Sequence, residues 1–209
     1  MTPQPVDAVR ALFPALARTE GGRPVAYLDG PGGTQVPAGV IEAMARRLRE
    51  GTSNLGGPFG ASRDAEATTV GAREAAADLV GGSPSEVAFG QNMTSLTFAL
   101  SRALARRWGP GDEVVVTRLD HDANVTPWRL AAADRGASVR VVDFDRGDGT
   151  LDLEQMARVV GDHTRLVAVT AASNALGTVP PVRRVAELAR AAGALVYVDA
   201  VHYAPHRLI

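Results

Sequence analysis

Three short runs constrain this chain most. EVVVT at 113–117, RLVAVT at 165–170 and ALVYVD at 194–199 are almost continuously apolar and rich in β-branched residues. A strand that is apolar on both sides is covered on both faces, which is the habit of parallel sheets. Parallel neighbours need a crossover of a dozen or more residues. The stretches between these runs, and around a fourth run, SVRVVDF at 138–144, carry helical spacing. The pattern predicts helices over 94–107, from Pro127-Trp128 onward, over 151–160 and over 182–192. Strands alternating with helices in this way give an α/β fold with a mostly parallel sheet.

Upstream the pattern is looser. It predicts a helix over 6–17, a short strand in AYLDG before a Gly/Pro-rich turn, and an amphipathic helix in VPAGVIEAMARRLRE opened by Pro37. The loop TSNLGGPFGAS leads to a long helix over 63–79, closed by Gly81-Gly82. Ser83-x-x-Glu86 has the form of a capping box and precedes another short strand, VAFG.

Composition removes several function classes. The net charge is -1, so no overall field draws nucleic acid or an anionic membrane surface. There are no cysteines, which excludes disulfides, thiolate metal sites and a cysteine nucleophile on these 209 residues. All 22 basic residues are arginine, so no side-chain amine is available either. No segment has the apolar length of a bilayer span, and the first residues lack signal-peptide form. A cytoplasmic setting is expected.

In parallel α/β sheets ligands sit beyond the carboxyl ends of the strands. After VAFG come Asn92, Met93, Thr94 and Ser95, at a helix start where free N–H groups favour a phosphate; a plain N-cap accounts for the same residues. After EVVVT comes His121, whose imidazole suits stacking on a ring or moving a proton, or simply faces solvent. After RLVAVT comes Asn174, with both a donor and an acceptor, in a turn shaped by Gly177. After ALVYV comes Asp199, followed by His202. A carboxylate at the end of so apolar a strand needs a partner, and a protonated ring nitrogen would serve; capping of the next turn is the plainer role.

Together these positions, in this order, resemble the class V aminotransferase family of pyridoxal-phosphate enzymes, in particular its cysteine desulfurase and selenocysteine lyase branch. The resemblance runs from about Tyr27 onward and is carried by GDEVVVTRLDHDANVTPW, SNALGTVPPV and AGALVYVDAVHYAPH. It implies the three-layer, fold-type-I large domain of a pyridoxal-phosphate-dependent transferase over 26–209, after an N-terminal helical segment over 1–25. It also implies pyridoxal 5′-phosphate as cofactor. By resemblance Met93, Thr94 and Ser95 hold the phosphate, and His121 stacks on the ring in the catalytic position. Asn174 and His202 lie near the ring's phenolic oxygen, and Asp199 pairs with the pyridinium nitrogen. Asn54 matches a position near the substrate, although its neighbours Gly56 and Gly57 depart from the His/Arg-containing segment usual in desulfurases.

The Schiff-base lysine, the desulfurase cysteine and the substrate-binding arginine are expected beyond Ile209, making this the N-terminal portion of a longer enzyme and inactive by itself. For the parent the resemblance implies an amino-acid substrate, C–S or C–Se cleavage as the leading reaction, and a homodimer. Aminotransfer or epimerisation is the near alternative. A non-catalytic nucleotide-binding α/β domain, or an interaction protein on the same fold, remains open; the missing G-x-G-x-x-G after the first strand speaks against a dinucleotide site.

Overall fold

The structure is a computed structural model and describes residues 5–207 and 209. It divides into two compact units. One comprises the described residues up to Asp78 with Gly82–Glu86; the other comprises Leu79–Gly81 and the described residues from Val87 onward.

In the first unit, α1 (Val6–Arg10) is short. Pro14 has no N–H to extend the helical ladder, and the chain resumes as a 3-10 turn at Pro14–Ala17. The helix predicted over 6–17 is therefore two pieces. β1 (Thr19–Glu20) and β2 (Arg23–Pro24) form a hairpin across Gly21-Gly22, both at positive φ (56° and 76°). Its strands of two residues left no periodic signal. The strand expected in AYLDG does not form. Instead the Asp29 carboxylate accepts the Gly32 amide (3.2 Å) and draws the chain into a 3-10 turn at Gly30–Gly32. Next come α2 (Ala38–Glu50), with Pro37 as its N-cap, and α3 (Gly60–Val80). α3 ends on Gly81 at φ 65°, with the Gly82 amide returning to the Ala77 carbonyl (2.9 Å). The Ser83–Glu86 capping contact is present, Ser83 N donating to Glu86 Oε2 at 2.9 Å, but it closes only the single 3-10 turn Pro84–Glu86.

The second unit contains α4 (Met93–Leu104), β3 (Glu113–Thr117), α5 (Thr126–Ala133), β4 (Ser138–Val142), α6 (Leu153–Val159), β5 (Thr164–Thr170), α7 (Val182–Ala191) and β6 (Leu195–Asp199). The strand expected in VAFG is absent: residues 87–90 have no ladder partner among the described residues. The four strands form one parallel sheet in the order β4-β3-β5-β6, with Val115 opposite both Arg140 and Val167, and Ala168 opposite Tyr197.

The order fixes the layers. β3 to β4 steps one way across the sheet, whereas β4 to β5 and β5 to β6 step the other way. Crossovers of one hand therefore put α5 on one face and α6 and α7 on the other. The packing agrees. Val114, Val116, Leu166 and Ala168 pack with Trp128 and Ala132 of α5 and Leu104 of α4. Val115, Val142, Val167 and Val169 pack with Met156 of α6 and Val185 and Ala189 of α7. The chain leaves β3 for one neighbour and later returns on its other side, so the switch point lies between the carboxyl ends of β3 and β5.

Candidate functional site

The residues that follow β3, β5 and β6 stand at that carboxyl edge. Thr117 ends β3 and the chain turns at once: Asp122–Asn124 form a 3-10 turn with His121 as its N-cap. His121 is exposed and its Nδ1 accepts the Ala123 amide (3.1 Å). A nitrogen that accepts carries no proton, so the ring N–H of the neutral form sits on Nε2.

Asn174 lies in the turn after β5, which the Ser173 amide closes on the Thr178 carbonyl (2.9 Å) and Gly177 permits with φ 72°. Its side-chain amide has no hydrogen-bond partner among the described residues. Asp199 is the last residue of β6 and is 6% exposed. One oxygen accepts the Val201 amide (3.0 Å), so the turn-capping role is real. Among the described residues no other donor reaches it and no cation pairs with it. His202 is partly buried in the turn after β6, where the Tyr203 and Ala204 amides return to the Ala200 carbonyl (3.0 and 2.8 Å).

α4 brings the fourth group. Asn92 is its N-cap and takes the Ser95 amide on Oδ1 (2.8 Å). The Met93 and Thr94 amides, in the first turn, have no intrahelical acceptor. The Thr94 hydroxyl is exposed and makes no hydrogen bond among the described residues. α4 is tied into the site at two points. It packs against the 122–124 turn beside His121. One turn further along it, the Thr97 hydroxyl meets the Tyr197 hydroxyl at 3.0 Å. Strand alternation puts Tyr197 and Asp199 on one face of the sheet, the face that α4 and α5 cover. The structure thus gathers Met93, Thr94, Ser95, His121, Asn174, Asp199 and His202 at one edge of one unit. Asn54 belongs to the first unit; it is exposed, and its backbone carbonyl accepts the hydroxyl of buried Ser62 (2.7 Å).

The sequence reading missed one carboxylate, Asp120. It is partly buried beneath His121's loop, accepts the Asn124 side-chain amide on one oxygen (2.6 Å) and bonds the Thr117 hydroxyl with the other. Burial pushes its carboxyl up to about 7, and the negative charge of Asp199 adds to the rise. Its signal in the sequence is faint: a carboxylate, an asparagine and a tryptophan at intervals of four, at 120, 124 and 128.

The donor set fits pyridoxal 5′-phosphate. Unpartnered amides and a hydroxyl at a helix start suit a phosphate. A buried carboxylate with a single amide partner suits a protonated ring nitrogen. An unengaged side-chain amide suits a phenolic oxygen. No cluster of His, Cys, Asp and Glu fit to hold a metal ion occurs among the described residues, and no helix among them is long and apolar enough to cross a membrane.

Comparison with known proteins identifies the family. The family model of aminotransferase class-V matches residues 26–209. A cysteine desulfurase of Serratia proteamaculans is 34% identical over 98% of this chain and 51% of its own length; one of Pectobacterium atrosepticum is 35% identical over 97% and 50%. Among solved structures, an apo cysteine desulfurase from Thermococcus onnurineus superposes with a TM-score of 0.88 at 27% identity, over 97% of this chain and 49% of that one. The cysteine desulfurase CsdA of Escherichia coli gives 0.83 at 26%, over 98% and 51%. The chain thus spans about half the length of the relatives it matches. The match over residues 26–209, joined to a parallel sheet with these residues at its carboxyl edge, assigns the chain to the aminotransferase class-V family.

Proposed function

We infer that this chain supplies the cofactor cradle of a pyridoxal-phosphate-dependent enzyme of the cysteine desulfurase kind, acting on a sulfur- or selenium-containing amino acid. The observation that carries the reading is Asp199, a carboxylate 6% exposed at a strand end, with one amide donor and no cation among the described residues.

When bound, the cofactor supplies an electron sink that stabilises negative charge beside the substrate's amine. The chain's own residues do the rest. Asp199 holds a proton on the ring nitrogen, which keeps the ring electron-poor. The Met93 and Thr94 amides and the Thr94 hydroxyl bind the phosphate, helped by the α4 dipole. His121 covers one face of the ring and excludes water there. Asn174 and His202 orient the ring through its phenolic oxygen. The chain carries neither lysine nor cysteine, so by itself it binds the cofactor and does not turn substrate over. A homodimeric parent in the cytoplasm completes the proposal, and the 33–35% identity to cysteine desulfurases favours sulfur chemistry over aminotransfer.

The test is equilibrium titration with pyridoxal 5′-phosphate and, separately, NAD. Binding of the former alone is expected, with Asp199→Asn weakening it roughly tenfold through loss of a charge-assisted hydrogen bond. Equal affinity in Asp199→Asn and the unchanged chain would sink the assignment of Asp199. Binding of NAD in preference would restore the nucleotide-binding alternative.

A further inference from the structure

Asp120 has no part in the cradle proposed above, yet its two oxygens are both engaged. One meets the hydroxyl of Thr117, the last residue of β3, and the other takes the Asn124 amide at 2.6 Å. The orientation of Asn124 is fixed independently. Its Oδ1 accepts Trp128 Nε1 (3.1 Å), and an indole can only donate, so Nδ2 must face Asp120. Trp128 is fully buried and stands edge-on to Tyr197, with ring centroids 4.9 Å apart and planes at 65°. Tyr197 in turn meets Thr97 on α4 (3.0 Å). A continuous line of contacts therefore runs from the end of β3 to the helix that carries Thr94, with Asp120 as its link to the loop.

We propose that Asp120 is a positioning residue for His121: bridging Thr117 and Asn124, it closes the 117–124 loop into a ring and fixes the angle at which the imidazole is presented. The loop's own bonds transmit the effect, since the Asn124 amide donates to the His121 carbonyl (2.8 Å) and the Ala123 amide to His121 Nδ1 (3.1 Å). The proposal rests on the reading above, in which His121 faces the cofactor ring.

A carboxylate so far removed from water is costly when charged, and burial raises its pKa to about 7. An asparagine has the same shape and can meet the Asn124 amide with its oxygen and the Thr117 hydroxyl with its nitrogen, so it should replace Asp120 where an alanine cannot.

Amide hydrogen exchange on the 209-residue chain tests this. Asp120→Ala should speed exchange at the Ala123 and Asn124 amides about 10- to 100-fold, the range for losing the partner of a buried polar group, with the Val115 and Val167 amides unchanged. Asp120→Asn should restore both rates to within about twofold. Thr117→Val, near-isosteric, should raise the same two rates several-fold and carries the test if Asp120→Ala fails to fold. In the cofactor arm, Asp120→Ala should weaken pyridoxal 5′-phosphate about tenfold and leave inorganic phosphate unaffected.

Unchanged exchange at Ala123 and Asn124, or an equal rise at Val115, overturns the proposal. So does failure of Asp120→Asn to rescue. If the unaltered chain binds no pyridoxal phosphate, the cofactor reading falls, and exchange alone still decides whether Asp120 holds the loop.

Discussion

Two carboxylates, Asp120 and Asp199, stand at the carboxyl edge of the sheet, and the charge of Asp199 acts on Asp120. Their surroundings differ: Asp199 meets a backbone amide, whereas Asp120 meets a hydroxyl and a side-chain amide. The raised value of Asp120, about 7 against 3.8 for the free group, makes stability depend on pH in a stated direction. The folded chain holds this proton more tightly than the unfolded chain does. The resulting stabilisation is complete below about pH 4 and is lost as pH rises through about 7. Its upper bound is on the order of 4 kcal/mol. Urea unfolding at a series of pH values should show a fall between 4 and 7 that flattens in Asp120→Asn; an unaltered slope in the variant would refute the assignment to this group.

Among the elements, α4 matters most to the proposed chemistry, and its start is set by Asn92 rather than by Thr94 or Ser95. Asn92→Ala should destabilise the chain by about 1 kcal/mol, as loss of an N-cap does, which thermal unfolding would detect. Phosphate affinity should change less, since the freed Ser95 amide becomes one more donor at that helix start. Central elements are legible in the sequence because both faces of β3 and β5 are covered, leaving runs without polar interruption. Peripheral elements are not: nothing in the composition of residues 19–24 announces strands of two residues, and residues 87–90 look like a strand but lack a neighbour to pair with. The same holds within the site. His121, Asn174 and Asp199 are readable because the ends of β3, β5 and β6 are readable; Thr94 is readable only from the helix start that Asn92 marks, since the strand expected before it does not form. Asp120 is not, because its character comes from burial and from partners three and four residues away in a turn.

On the scale of the whole molecule, the absence of lysine is decisive for how a cofactor could be retained. The only amine in 209 residues is the α-amino group. Pyridoxal phosphate and borohydride should therefore leave no reduced adduct on any side chain, as peptide mass spectrometry would establish, and gel filtration should strip the cofactor away. A side-chain adduct would contradict the composition-based argument. Finally, the edge-on contact of Trp128 with Tyr197 has an optical consequence. An indole fully removed from water emits at short wavelength, and a tyrosine ring 4.9 Å away passes its excitation to that indole. The junction between β6 and α5 thus carries its own fluorophore pair, and light absorbed at Tyr197 reports whether that side of the sheet is still closed.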